Sequence, residues 1–210
     1  MVPSLMILGG LAEGVAWWAI ARRGWSVWTT MTPVLVALGL LALLLGPPSL
    51  AEDRSLEVAA AAGLTTGLLL FGATRLFVAV VAPRWKAFRS QSIQIYGRRG
   101  ALSLGAVLVL SLGLMVPGEE LFWRGLFLPE VERGFGAGAL APLTAWAAFV
   151  AANLPSLNLA IVAGAAVGGA AWVGLAVWSG GILAALLCHT TWTALMLAFP
   201  PPAEPVEAIS

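Results

Sequence analysis

Charge is scarce in this chain: only 10% of its 210 residues are Asp, Glu, Lys or Arg, where soluble domains carry about a quarter. It also holds a single cysteine, a single histidine, a single tyrosine and one aspartate, Asp53. Each shortage excludes something. Cys188 alone cannot close an internal disulfide. Asp53, in a loop, cannot supply the two aspartates that an aspartyl intramembrane protease needs. His189 alone cannot make the two-histidine zinc motif HExxH, and one histidine with two glutamates is a poor substitute. No metal and no cofactor is therefore expected. A formal net charge of +1 offers no basic footprint for nucleic acid, and none is expected as a partner.

What the chain has in abundance is apolar length. Sixty per cent of it is hydrophobic and its mean hydropathy is +0.94, which places it in a bilayer. A helical span needs about 20 apolar residues, and apolar runs lie at roughly 3–20, 28–46, 57–82, 101–128, 138–154, 158–178 and 181–198. The expected fold is an all-α, polytopic transmembrane bundle of about seven spans. Gly46-Pro47-Pro48, Pro83, the stretch from Gly134 to Gly138, Pro155, Ser179-Gly180-Gly181 and Pro200 to Pro202 supply the breaks. The chain divides into three N-terminal spans (1–83), a basic loop (84–100), a four-span core (101–198) and a short tail (199–210). Gly164 and Gly168, four apart, mark a face where helix backbones can approach closely.

Loop charges predict orientation, because Lys and Arg gather on the cytoplasmic side. Arg84, Lys86, Arg89, Arg98 and Arg99 carry no acid among them, so their loop is expected to be cytoplasmic. Arg22 and Arg23, two spans earlier, fall on the same side. Glu52, Asp53 and Glu57 fall opposite, as does the loop of Glu130, Glu132 and Arg133. The N-terminus is then outside, the tail with Glu204 and Glu207 inside, and the expected location is the plasma (inner) membrane. Trp17, Trp18, Trp25, Trp28 and Trp85 gather near the cytoplasmic boundary as an aromatic belt. The first apolar run has no basic residues before it, which suits a retained helix better than a cleaved signal.

Ionisable side chains inside spans are costly and each is a functional candidate. Glu13 and Arg75 stand alone in spans one and three, where either can line a cavity and Arg75 can equally reach toward the headgroups. Glu119, Glu120 and Arg124 cluster in Pro117-Gly118-Glu119-Glu120-Leu121-Phe122-Trp123-Arg124-Gly125. Glu120 and Arg124 are four apart and share a helix face, where they can pair. Glu119 points about 100° away, without a local counter-ion, and is the carboxylate suited to act as a general base. His189 sits mid-way along the last span. Cys188 beside it makes no dyad, since adjacent helical positions diverge.

Three ordered motifs carry a resemblance. Glu119-Glu120-x-x-x-Arg124 with Gly125, then Phe149-x-x-x-Asn153, then His189-x-x-x-Thr193 resemble the EExxxR, FxxxH and HxxxN motifs of the CPBP family of glutamic-type intramembrane proteases, relatives of the CAAX prenyl endopeptidase. The likeness covers about residues 85–198. It implies a glutamate that activates water to hydrolyse a peptide bond of a membrane-embedded or membrane-tethered substrate, in contact with the lipid bilayer. Residue by residue, Glu119 would be the base, Glu120 and Arg124 the supporting pair with Phe149 beside them, and His189, Asn153 and Thr193 the remaining catalytic positions. Two of these depart from the pattern: Asn153 stands where the family has histidine, and Thr193 where it has asparagine. Asparagine cannot titrate, so it can only hydrogen-bond an oxyanion neutrally.

Two other readings stay open. A catalytically degenerate relative would bind a membrane peptide or protein partner without cutting it. A transporter or channel subunit would spread polar groups through several spans and usually show internal repeats, and the polar residues here collect late in the chain.

Overall fold

The computed structural model describes residues 2–97, 100–136 and 138–200. Arg98 and Arg99 of the basic stretch, and Glu204 and Glu207 of the tail, lie outside the described residues. Within them the chain forms eight helices and no strand: α1 (Val2–Arg23), α2 (Val27–Leu45), α3 (Leu56–Val81), α4 (Lys86–Gly97), α5 (Leu104–Phe135), α6 (Leu140–Asn153), α7 (Leu159–Ser179) and α8 (Leu183–Ala198). Each of the seven apolar runs becomes one helix. Five of these, α1, α2, α3, α5 and α7, are long and apolar enough to cross a membrane. The protein is an all-helical, multi-pass membrane protein.

Two boundaries differ from the sequence reading. The segment 84–100, expected to be a loop, carries α4. Its buried Phe88 lies against Trp85 and Phe77, with ring centroids 5.8 and 5.4 Å away, while Lys86 and Arg89 share the helix. A helix with one apolar anchor and basic neighbours reads as a loop by hydropathy alone. The second difference is α5, which starts later than residue 101 and continues past 128. Glu130, Glu132 and Arg133, expected in a loop, form its last turns, and Glu130 pairs with Arg133.

The length of α5 depends on two widened turns. Proline lacks an N–H, and its ring collides with the carbonyl four residues back in a regular helix. Ahead of Pro117 the helix opens into a π turn over Ser111–Met115, closed by Val116 N–H donating to Ser111 O. Ahead of Pro129 it does so again over Trp123–Phe127, closed by Leu128 N–H donating to Trp123 O. In both, the residue four back is a glycine inside the widened turn, Gly113 and Gly125. The helix therefore stays continuous through Pro117-Gly118, and the two π turns bracket the regular segment Val116–Phe122.

Close backbone approach occurs elsewhere than at Gly164 and Gly168. A Cβ on Gly168 would strike the Trp172 ring of its own helix, so that glycine makes room for an indole, whereas one on Gly164 would sit 3.5 Å from the Trp192 ring, in ordinary contact. The close contacts are between α3 and α8, where a Cβ on Gly67 would lie 2.8 Å from Cys188 O, and between α2 and α5, where one on Gly39 would lie 2.7 Å from Gly118 Cα. The α7–α8 turn is strapped by the α2–α3 loop. Ile182 N–H donates to Ser49 O at 3.0 Å, Leu183 N–H to Leu50 O at 2.9 Å and Asp53 N–H to Ser179 O at 3.1 Å. A Cβ on Gly181 would meet the Leu50 carbonyl at 2.5 Å, which accounts for the glycine at that position.

Candidate active site

The site forms where α1, α5, α6 and α8 meet, and Gly118 brings its carboxylates there. Without a side chain, α5 settles against the Leu35 carbonyl of α2, fixing the next two residues. Glu120 points into protein and is fully buried. Its Oε1 accepts from an Arg124 Nη at 3.2 Å and meets His189 Nδ1 at 2.8 Å. Arg124 is buried too, its guanidinium 4.3 Å from the Phe149 ring centroid and 5.3 Å from that of Trp172. Those aromatic faces supply electrostatic attraction where hydrogen bonds are few: Arg124 Nε and its second Nη have no hydrogen-bond partner among the described residues.

His189 is fixed from two directions. Trp172 stacks on its ring with centroids 3.6 Å apart and an interplanar angle of 17°. Glu120, already accepting from Arg124, serves as acceptor for an Nδ1–H, which leaves Nε2 on the opposite edge of the ring with a lone pair. That atom lies 3.8 Å from Glu119 Oε2, beyond direct hydrogen-bond range. Glu119 and His189 both border a cavity of about 140 Å³, which Thr193, Ser111 and apolar side chains of α2 also line. Such a volume accommodates water and has the polar partners to hold it.

Asn153 takes a different place. Its Nδ2 donates to the Phe149 carbonyl at 3.0 Å and to Glu13 Oε1 at 3.2 Å, and it stands behind the cavity wall. At 14 residues, α6 is only about 21 Å long, short of a hydrocarbon core of about 30 Å. Its C-terminal residue therefore stops inside the bundle. Of the positions singled out in the sequence, Glu119, His189 and Thr193 share the cavity; Glu120, Arg124 and Phe149 support it from behind; Asn153 reaches it through Glu13.

Glu13 was set apart in sequence as a lone acid, with no tie to the cluster. The structure gives it 1% exposure, a place in the lining of the same cavity and a second donor, Trp123 Nε1, at 2.8 Å from Oε2. The only signal was its cost: an acid in mid-span without a local partner needs one from another helix. Arg75, weighed beside it, goes elsewhere and donates to Phe199 O at 2.9 Å.

Residues 101–195 match the family model described as Rce1-like, type II CAAX prenyl endopeptidase Rce1-like. This stretch is similar to the CAAX-protease family. The CAAX-protease-like core thus contains α5 through most of α8, with every motif position from Glu119 to Thr193, and it excludes α1 with Glu13. No curated protein and no solved structure matches the chain. The family supports an intramembrane, endopeptidase-like function in general terms.

Proposed function

We propose that the protein is an intramembrane endopeptidase in which Glu119 activates water against a peptide bond of a membrane-embedded substrate. The observation that carries this reading is the pair formed by Glu119 Oε2 and His189 Nε2, 3.8 Å apart on one cavity. A water between them can place one hydrogen on Oε2 and the other on Nε2. Glu119 then takes the first proton as the oxygen attacks the carbonyl carbon. His189 orients the water, and Glu120, held by Arg124, fixes the ring's tautomer and angle. Thr193, one helical turn beyond His189, offers a hydroxyl to the developing oxyanion.

An apolar groove of about 480 Å³ supports the choice of a membrane-embedded substrate. It lies among α3, α4, α7 and α8, with Phe77, Phe88, Gly164 and Trp192 on its walls, and Thr193 lines both it and the cavity. We assign the groove as the route by which a substrate segment reaches Glu119. We further propose, from the loop charges, that the protein sits in the plasma (inner) membrane with the basic segment cytoplasmic.

A second reading rests on Asn153, whose amide is engaged by Phe149 O and Glu13. A member whose second motif lacks histidine can bind a membrane peptide without cutting it. One substitution separates the two. Cells expressing wild type or Glu119→Gln at equal abundance are compared by mass-spectrometric profiling of membrane-protein termini. Termini present with wild type and lost with Glu119→Gln establish proteolysis, whereas identical profiles defeat it and leave the binding reading.

A further inference from the structure

Two glutamates face the cavity, and only one comes from the matched core. Glu13 arrives on α1, is 1% exposed, and borders the same cavity of about 140 Å³ as Glu119 and His189. Its two oxygens are each held by a neutral donor, Oε2 by Trp123 Nε1 at 2.8 Å and Oε1 by Asn153 Nδ2 at 3.2 Å. The Phe149 carbonyl can only accept, so it fixes Nδ2 of Asn153 as the donor there at 3.0 Å. Both amide hydrogens are then spent, one on Phe149 O and one on Glu13. Asn153 acts as a clamp on Glu13, and the group it presents to the cavity is a carboxyl.

We propose that Glu13 is the second carboxyl of the site, sharing one proton with Glu119 across the cavity and passing it to the leaving nitrogen. Two carboxyls in so small a space resist carrying two negative charges together, and enzymes with such pairs divide the work of acid and base between them. The chemical step rests on the endopeptidase reading; the shared proton does not. Glu119 takes a proton from water as the water oxygen bonds to the carbonyl carbon. The carbon–nitrogen bond breaks as the Glu13 carboxyl proton moves to the amine nitrogen. The products are a carboxylic acid and an amine, and the pair ends with its one proton on Glu119. One transfer through cavity water returns it to Glu13.

The shared proton is read by infrared spectroscopy of the full chain in lipid nanodiscs, where the carboxylic acid C=O stretch is resolved from the carboxylate bands. Wild type is expected to show a buried acid band that disappears in both Glu13→Gln and Glu119→Gln. A wild type without that band, or a Glu13→Gln variant that retains it unchanged, overturns the proposal. If Glu13→Gln does not fold, Trp123→Phe replaces it: loss of one hydrogen bond to Glu13 should shift the band, and an unmoved band overturns the proposal. The role in cleavage is read from membrane-protein termini. Glu13→Gln should reduce Glu119-dependent termini on the order of 10²-fold, with Glu13→Asp recovering part of the loss. Termini that depend on Glu119 and not on Glu13 refute the acid role. Profiles insensitive to Glu119, with the paired band intact, defeat the endopeptidase reading and the acid role while leaving the shared proton standing.

Discussion

At the scale of single residues, one atom carries much of the site: Glu120 Oε1 serves both Arg124 and His189. Removing Arg124 leaves a buried carboxylate without its counter-ion, a loss of about 3–5 kcal/mol for a buried pair. Arg124→Ala should therefore lower the thermal midpoint of the purified protein in detergent, followed by tryptophan emission. Glu119→Gln, at the cavity edge, should leave that midpoint in place; two variants that melt alike would show that the two glutamates do not divide their roles in this way. Asn153→His tests the clamp from the other side. An imidazole there can still donate to Glu13, so the yield of Glu119-dependent termini should stay equal or rise, and a collapse of that yield would show that the amide itself is required. The proximity of Glu120 to Arg124 was legible from a spacing of four residues. The proximity of Glu13 to Asn153 was not, because it joins residues 140 positions apart and no local periodicity encodes it.

Among the helices, hydropathy carried the reading furthest where a segment is apolar all round. Each apolar run became a helix, because a backbone in lipid has to satisfy its own hydrogen bonds. It failed on α4, whose buried Phe88 is outvoted by polar neighbours, and at the end of α5, where acids mimic a loop. The π turns were equally hidden: a proline inside an apolar run argues locally against a regular helix, whereas the widened turn lets the helix absorb the ring. Two substitutions probe elements as wholes. Gly181→Val places side-chain carbons against the Leu50 carbonyl and should loosen the strap, destabilising by about 1–3 kcal/mol in the same melting assay; an unchanged midpoint would mean the strap yields freely. Gly164→Leu should narrow the apolar groove, cutting the yield of Glu119-dependent termini several-fold with the midpoint preserved. Unaltered termini would remove the groove from the substrate's route.

For the molecule as a whole, the open prediction is its sidedness. Single cysteines at Ser55 and Ser90 in a Cys188→Ser background should react from opposite faces of the membrane with an impermeant thiol reagent, Ser90 from the cytoplasm. Labelling of both from one face would reverse or dissolve the assigned topology. Whichever face proves correct, the hydrogen bonds of Glu13 impose an order on assembly. Its donor Trp123 lies 110 positions downstream and Asn153 farther still. Synthesis delivers α1 to the membrane long before either partner exists. For that interval the acid is stranded in an isolated helix, at a penalty of a few kcal/mol, offset by its apolar neighbours or relieved by water drawn in from the insertion machinery. The last turns of α6 release it. Biogenesis and chemistry thus depend on the same carboxyl, and a chain interrupted before residue 153 leaves the membrane holding a helix whose acid lacks one of its two donors.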